Sequence, residues 1–318
     1  MFCYDRGLRI TPLDLAVDIC RRQPRGFISH AHSDHMAAHE LAIGTPLTAA
    51  LYRRRYGDKL VRELPFEQPW QWDEFSLSTH PAGHIAGSAM LHVAASDQSL
   101  LYTGDFRLRE SMTAETPRCP HADILVMECT FGQPHYKFPP RELASEQLID
   151  IVSQTLRRQE VPVIHAYVTG KAQEVTAILA HAGLPVKVHP LVAEVNAITA
   201  AHGIKIGNYG VATSLTEGFV YIAPPRSQKA MPLLGPVAKR TIAVTGWAID
   251  PTWRTRQRYD YAVVLSDHAD YDELLECVDR VAPRQVYCTH GPMSFVADLR
   301  ERGIDAHPLN PRDRVLAT

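Results

Sequence analysis

The sequence has few cysteines, and they do not occur in pairs. The six lie far apart along the chain, at Cys3, Cys20, Cys119, Cys129, Cys277 and Cys288. Because there is no Cys-x-x-Cys motif, neither a disulfide framework nor a zinc site made of paired thiolates is indicated. We expect most of these thiols to be small buried apolar groups.

Long apolar runs are also absent. No segment approaches the roughly 20 apolar residues that a membrane-spanning helix needs. Residues 1–10 include Asp5, Arg6 and Arg9, whereas a signal peptide has an apolar core. We therefore expect a cytoplasmic protein that does not interact with a membrane.

The chain lacks a strong charge of either sign, since its formal net charge at pH 7 is -2. A polyanion such as nucleic acid would therefore have to be bound by local clusters of Arg and Lys. The 318 residues are 45% hydrophobic and 21% charged, which is typical of a globular protein. This length suggests one large or two modest domains.

The first third of the chain alternates short apolar runs with turn residues, a pattern that predicts β-strands of a layered α/β domain. The predicted strands are residues 26–29, 41–44, 75–79, 90–94, 100–103 and 124–127. Two short helices are predicted between them, at residues 33–40 and 49–56.

The texture changes at Pro139-Pro140, where apolar residues at helical spacing predict a helix over residues 141–159. Up to about residue 246 the pattern resembles a separate βαβ unit, with strands at 161–165, 186–189, 219–222 and 241–245 and helices at 172–182 and 191–202. A strand at 261–265, a helix at 271–281 and a strand at 285–289 follow.

Histidine is the informative component of the sequence, with 16 copies. Directly after the first of these strands the chain reads His30-Ala31-His32-Ser33-Asp34-His35. Neutral imidazoles and carboxylates suit zinc and its first-row neighbours, and four such side chains in one turn could serve two ions. The alternative is a polar turn with incidental histidines.

Three further candidate ligands, His84, Asp105 and His290, stand where a predicted strand gives way to a loop. Glycines surround His84 in Gly83-His84-Ile85-Ala86-Gly87, precede Asp105 in Thr103-Gly104-Asp105, and follow His290 in Thr289-His290-Gly291. Each residue alone is more often structural. Together they occupy the strand-to-loop positions where functional residues of layered folds collect.

These motifs resemble the metallo-β-lactamase superfamily. The segments Glu128-Cys129-Thr130-Phe131-Gly132, Ser266-Asp267-His268-Ala269-Asp270 and Thr289-His290-Gly291 further resemble the β-CASP nucleases, above all small bacterial DNA exonucleases associated with a ligase or helicase. The resemblance implies an α/β fold: a metallo-β-lactamase αββα sandwich, built from residues 1–135 and 259–318, with an inserted β-CASP cap domain at residues 136–258.

The resemblance also implies roles for individual residues. One metal ion would be held by His30, His32 and His84, and a second by Asp34, His35 and His290. Asp105 would bridge both ions, and Asp34 and Asp105 would take part in catalysis. Asp18 would orient a ligating histidine, with Asp14 as the alternative. Glu128 would position His268 beside the scissile phosphate. The implied cofactors are two divalent metal ions, zinc or, alternatively, manganese.

Specificity would lie in the cap. Thr169-Gly170-Lys171 begins a predicted helix, where backbone N–H groups favour anions. Together with Ser214, Arg226 and Arg254, Lys171 is a predicted substrate-binding residue, although such side chains are commonly solvated surface. Trp247 and Trp253 could stack on bases or belong to the core.

The sequence thus predicts a metal-dependent phosphodiesterase that acts on single-stranded nucleic acid. DNA is favoured over RNA, which makes the chain a DNA exonuclease of DNA repair with a repair ligase or helicase as partner. The alternatives are an RNA-processing β-CASP ribonuclease, a small-molecule hydrolase with the same metals, and a catalytically inactive nucleic-acid-binding partner subunit.

Overall fold

The computed structural model describes residues 1–5, 7–225 and 237–309, and the backbone of a last strand at 314–317. The chain forms two compact units. The first comprises Met1–Glu110, Glu115–Lys137 and His268–Thr318, and the second comprises Ser111–Ala114 and Phe138–Asp267. The domain boundaries expected after residues 135 and 258 stay a prediction.

Two seven-stranded mixed sheets form the first unit. Strands and helices are numbered along the chain. The strands of the first sheet are β1 (Phe2–Asp5), β2 (Leu8–Ile10), β3 (Leu15–Val17), β4 (Arg25–Phe27), β5 (Leu41–Gly44), β6 (Val61–Glu63) and β20 (Arg314–Ala317). Their order is β20-β1-β2-β3-β4-β5-β6, with β3 to β6 parallel to one another.

The strands of the second sheet are β7 (Trp70–Trp72), β8 (Phe75–Pro81), β9 (Ala89–Ala94), β10 (Ser99–Tyr102), β11 (Ile124–Glu128), β18 (Gln285–Thr289) and β19 (Asp305–Pro308). Their order is β19-β18-β11-β10-β9-β8-β7. The strands β10, β11, β18 and β19 are parallel, and β8 runs in the same direction because it is antiparallel to β9, which is antiparallel to β10.

The two sheets face each other across one apolar core. Alternate residues of each sheet point into it, among them Phe27 and Ile43 from the first sheet and Leu77, Leu91 and Val126 from the second. This alternation is visible in β8, where buried and partly exposed residues follow one another. The period of two therefore assigns one face of each strand to the core.

Helices cover the sheets of the first unit. They are α1 (Pro46–Tyr56), α6 (Tyr271–Val281) and α7 (Met293–Glu301). The apolar faces of α6 and α7, including Leu274 and Phe295, pack on the outer face of the second sheet against Leu101 and Leu125. A short 3-10 helix, Thr11–Leu13, connects β2 and β3.

The second unit is a separate layered α/β body. Its six-stranded parallel sheet contains β12 (Val161–His165), β13 (Val186–Val188), β14 (Gly210–Val211), β15 (Val220–Ala223), β16 (Lys239–Val244) and β17 (Tyr261–Val263), in the order β14-β13-β15-β12-β16-β17. The helices are α2 (Arg141–Arg157), α3 (Lys171–His181), α4 (Pro190–Ala201) and α5 (Trp253–Arg256), with a 3-10 helix at Gly246–Ile249. Most of the apolar core lies between the sheet and the first three helices.

One predicted element is wrong. Residues 33–40, predicted as a helix, form turns and irregular structure. The amides of Glu40 and Leu41 donate to the carbonyls of Gln23 and Pro24, and the Gln23 amide donates to Nδ1 of His39 at 3.1 Å. The polar groups of this segment are therefore used in long-range bonds, so a helical ladder does not form.

Candidate metal centre

The candidate residues gather at one edge of the first unit because they follow strands that run in the same direction. Asp18 follows β3, and the His30 to His35 turn lies just beyond its parallel neighbour β4. In the second sheet, Asp105 lies beyond β10, Glu128 ends β11 and His290 follows β18. Carboxyl ends of parallel strands meet at one edge of a sheet, which is where ligands of α/β proteins bind.

Four donor side chains converge tightly. Nδ1 of His32 lies 3.0 Å from Nε2 of His30 and 3.2 Å from Nε2 of His84. Oδ2 of Asp105 lies 3.6 Å from Nε2 of His30 and 3.9 Å from Nε2 of His84. The four donor atoms lie within 4.8 Å of one another, so one ion could contact all of them.

His35 extends this group through Asp105. Its Nε2 lies 3.4 Å from Oδ2 of Asp105, while its Nδ1 donates to Asp18 at 2.9 Å. Asp18 also accepts hydrogen bonds from the amide of Ser29 at 2.8 Å and from the hydroxyl of Tyr102 at 2.9 Å. The bond to Asp18 places the proton of neutral His35 on Nδ1 and leaves Nε2 as its donor atom.

Electrostatics favour the ligating forms of two of these side chains. Burial, together with the neighbouring His35 and His32, holds the pKa of His30 well below its usual value. Burial alone would raise the pKa of Asp105, but His35 and His268 outweigh it and hold that pKa well below its usual value. A neutral imidazole and an ionised carboxylate are the forms that bind metal.

The donor set therefore fits a divalent metal ion. Three imidazoles and a carboxylate are ligands that zinc and its first-row neighbours accept. For His35, burial lowers the pKa but the carboxylates of Asp105 and Asp18 raise it well above its usual value. Metal binding at His35 would therefore release a proton from this side chain.

The other two predicted ligands lie at the margin of the cluster. None of the three groups of converging donors found in the described part of the chain includes Asp34 or His290. Asp34 is exposed, and its carbonyl accepts a hydrogen bond from the thiol of Cys20. The ring of His290 is exposed, and its centroid lies 6.3 Å from that of His35. Their role as ligands of a second ion stays a prediction.

A carboxylate and an imidazole form a pair beside Asp105. Nδ1 of His268 lies 2.9 Å from Oε1 of Glu128 and 3.1 Å from Oε2. Glu128 is buried and also accepts from the amide of Phe106 at 3.0 Å and from the hydroxyl of Thr130. His268 remains 29% exposed, and its ring centroid lies 4.7 Å from that of His84. Donor atoms of Asp105, Glu128 and His268 lie within 4.8 Å of one another.

Parts of this chain are similar to known proteins. A family model described as "Zn-dependent metallo-hydrolase RNA specificity domain" matches residues 261–310. A protein of Opitutus terrae named "Probable DNA ligase" is 39% identical over 308 residues, which cover 95% of this chain and 30% of that protein. The "Transcription termination factor FttA" of Methanothermobacter thermautotrophicus is 35% identical over 139 residues, 40% of this chain and 22% of that protein.

These matches support the resemblance to the metallo-β-lactamase superfamily and its β-CASP family. A crystal structure of a protein of unknown function from Enterococcus faecalis V583 has a similar fold, with a TM-score of 0.61 and 15% identity over 92% of this chain and 80% of that one. The predicted fold class, an αββα sandwich with an inserted cap domain, is confirmed. The chain spans less than a third of the length of these two curated relatives.

The residues that the sequence assigned to substrate binding differ in environment. Lys171 is buried and forms ion pairs with Asp267 and, at 3.7 Å, with Glu174. Ser214 is exposed, and exposed Arg254 donates to the carbonyl of Asp260 at 2.8 Å. Arg226 lies outside the described residues. Substrate binding by these four residues stays a prediction.

Several residues around the candidate centre carry little signal in the sequence. Tyr102 and Ser29 contact Asp18, and the spacing of the chain does not indicate either contact. Glu273 does have a signal in the sequence, because Asp270 and Glu273 have the spacing of a helix capping box.

Within the described residues, no helix has both the length and the apolar character needed to cross a bilayer.

Proposed function

We propose that the chain is a metal-dependent phosphodiesterase that hydrolyses single-stranded nucleic acid. The convergence of His30, His32, His84 and Asp105 beside the Glu128 and His268 pair supports this function. The first four side chains would hold one divalent ion. Asp34, His35 and His290 would hold a second ion that shares Asp105, and zinc is the proposed metal, with manganese as the alternative.

Divalent ions bound at this centre would lower the pKa of a water ligand and offset negative charge on phosphoryl oxygens. The remaining work belongs to side chains of the protein. Asp18 keeps the Nδ1 proton of His35 in place, so Nε2 faces Asp105. The ionised carboxylate of Asp105 supplies an acceptor that stays charged at neutral pH.

His268 is the proposed general acid for the leaving oxygen. Glu128 accepts a hydrogen bond from the N–H group at Nδ1 of His268. Nε2 is therefore the atom that would exchange a proton with the substrate. The carboxylate has three further constraints, from Phe106, Thr130 and its own burial, so it restrains rotation of the imidazole. Histidine is the side chain that ordinarily exchanges a proton near neutral pH, so it suits this role.

DNA is the proposed polymer, and exonucleolytic processing in DNA repair is the proposed activity. The name of the Opitutus relative, which matches 95% of this chain, supports a substrate on which a DNA ligase also acts. A ligase is accordingly the proposed partner. The RNA specificity named in the matching family model favours the second candidate, an RNA-processing ribonuclease.

The test uses purified protein with end-labelled single-stranded DNA and RNA of the same sequence, with and without a chelator. We expect chelator-sensitive shortening of the DNA from one end, with slower or no cleavage of the RNA. The Asp105→Asn variant serves as the inactive control, since it removes the charge shared by the proposed ligands. Cleavage within the strand would indicate an endonuclease and would contradict the proposed exonuclease activity.

Three other outcomes would contradict the proposal. Faster cleavage of RNA would make the chain a ribonuclease. Hydrolysis of small esters or lactones, without binding of either strand, would indicate a small-molecule hydrolase. Salt-dependent binding of a strand without cleavage at any metal concentration would indicate a nucleic-acid-binding subunit.

A further inference from the structure

Glu273 lies in the first turn of α6, and its side chain is 1% exposed. Its Oε1 accepts hydrogen bonds from the amides of Leu108 and Arg109, both at 2.8 Å. Its Oε2 accepts from the amide of Asp270 at 3.1 Å. One buried carboxylate therefore binds three backbone N–H groups from two segments that are far apart in the sequence.

The two segments carry residues of the proposed centre. Leu108 and Arg109 lie in residues 105–110, the irregular segment that begins at Asp105 and is called the Asp105 loop here, and Asp270 is two residues from His268. The same segments meet directly, since the amide of Ala269 donates to the carbonyl of Phe106 at 2.7 Å. Glu273 thus joins the Asp105 loop to the turn that contains His268, and this junction is made of hydrogen bonds to backbone amides.

We propose that Glu273 is a positioning residue whose carboxylate fixes the Asp105 loop against the His268 turn. This inference rests on the proposed function for its effect on catalysis. The hydrogen bonds that carry it are independent of that function. Glu273 contacts neither substrate nor metal in this proposal. It acts through the backbone amides, and its ion pair with the Arg109 side chain, at 3.9 Å, holds the same loop.

A role in capping α6 explains only part of this geometry. The capping box needs one oxygen of Glu273, which receives the amide of Asp270, while Oδ1 of Asp270 receives the amide of Glu273 at 2.9 Å. The second oxygen is used entirely by the Asp105 loop. A buried carboxylate is costly unless it is fully hydrogen-bonded, and an uncharged residue could cap the helix without that cost.

The surroundings of Glu273 support the same conclusion. Burial raises the pKa of its carboxyl group, which shows the cost of placing a charge there, and the nearby buried Arg107 opposes that shift. Leu108 and Arg109 belong to no helix or strand. Their amides therefore have no sheet or helix ladder to rely on, and Glu273 is the acceptor that orders them.

The experiment compares wild type with Glu273→Gln and with Val278→Ala. An amide at residue 273 is neutral and offers one oxygen, so the bonds from the Leu108 and Arg109 amides lose their charge assistance in one orientation and their acceptor in the other. Val278 is a buried apolar residue of the same helix, and its truncation destabilises α6 without touching the junction. Amide hydrogen exchange is measured in metal-free protein, so the readout needs neither metal nor activity.

We expect the amides of Leu108 and Arg109 to be protected in the wild type. In Glu273→Gln their exchange should accelerate roughly tenfold or more, since losing a charge-assisted bond costs about that much. Val278→Ala should leave these amides protected even where its thermal midpoint falls equally. On a labelled strand, Glu273→Gln should lose about 10²-fold in kcat, with KM and metal content near wild type.

Fast exchange of these amides in the wild type would overturn the proposal, even if the variants fail to fold. Equal exchange in Glu273→Gln and a Val278→Ala protein of matched stability would also overturn it, because Glu273 would then act only on the helix. Loss of bound metal with unchanged exchange would contradict it as well. A wild type that cleaves no strand would refute the proposed function while the exchange result still decides the junction.

Discussion

Single hydrogen bonds decide which atoms of the candidate centre face a metal ion. Asp18 and Asp14 are four residues apart, yet Asp14 is exposed and pairs with Arg9 at 2.6 Å. Asp18 instead receives bonds from His35, Ser29 and Tyr102. An imidazole oriented in this way presents one defined nitrogen, and that is how residues behind the ligands tune metal affinity.

We expect Asp18→Asn to weaken metal binding by about 10-fold to 100-fold, because an amide oriented toward Ser29 cannot also restrain His35 as a carboxylate does. Competition with a chromophoric chelator measures the affinity. Asp14→Asn is the matched control and should bind metal as the wild type does. Equal affinities of the two variants would contradict the orienting role of Asp18.

His268 is expected to act in proton transfer and not as a metal ligand. The His268→Ala variant should keep the bound metal but lose about 10²-fold to 10⁴-fold in kcat, the range of general acid catalysis. Metal content by elemental analysis and turnover on a labelled strand are measured on the same sample. The control is His202→Ala, at an exposed position after α4. Loss of metal in His268→Ala would make this residue a ligand.

At the scale of elements, apolar periodicity predicted most of the long strands and helices. The strands Leu41–Gly44 and Gln285–Thr289 and the helix Tyr271–Val281 have the predicted bounds. The strands β1, β2 and β3, of three or four residues each, were missed, since so few residues do not show a clear period. The helix predicted at residues 33–40 was wrong because polar groups there form long-range hydrogen bonds. A local pattern cannot reveal such bonds.

A tight turn positions Asp105, and it depends on the preceding glycine. Gly104 has φ +56, and a Cβ added there would lie 2.7 Å from Cβ of Ser29. Gly104→Ala should therefore lower the free energy of unfolding by more than the roughly 1–2 kcal/mol of left-handed strain alone. Metal affinity should fall as well, because Ser29 contacts both Asp18 and His30.

The control for this turn is Gly57→Ala, since Gly57 has φ +76 and a Cβ there would meet nothing within 4 Å. This variant carries backbone strain without a clash. Urea unfolding of both variants separates the two effects. Equal losses of unfolding free energy in the two variants, with wild-type metal affinity in both, would contradict a role of the close approach of Gly104 to Ser29 in metal binding.

At the scale of the whole molecule, the motifs correctly predicted which distant residues lie close together. They did not predict which side chains each residue contacts. His30, His32, His84 and Asp105 were predicted together from three separate segments, and they converge. Lys171 was expected to face phosphate, yet it is buried with Asp267 and Glu174. A basic residue at the start of a helix has the same local sequence pattern whether it binds phosphate or is buried in an ion pair. The tertiary fold decides between the two, because it brings the carboxylates of Asp267 and Glu174 to Lys171.

The charges of the centre also set how the stability of the whole metal-free protein varies with pH. The pKa of His30 is lowered on folding, mainly by burial, so its contribution is present above the unfolded value near 6.5 and is lost as the pH falls below it. The pKa of His35 is raised by Asp105 and Asp18 against burial, so its contribution is present below about 6.5 and is lost as the pH rises through the folded pKa.

The thermal midpoint of chelator-treated protein should therefore pass through a maximum near pH 6.5, the value at which the two contributions cross. Scans between about pH 5 and pH 9 test this, because histidine titrates within that range. In His35→Gln the alkaline decline should disappear while the acid decline persists. Metal loading should also abolish the alkaline decline, since a ligating imidazole is neutral. A metal-free midpoint that rises steadily into the alkaline range would contradict the charged state assigned to His35.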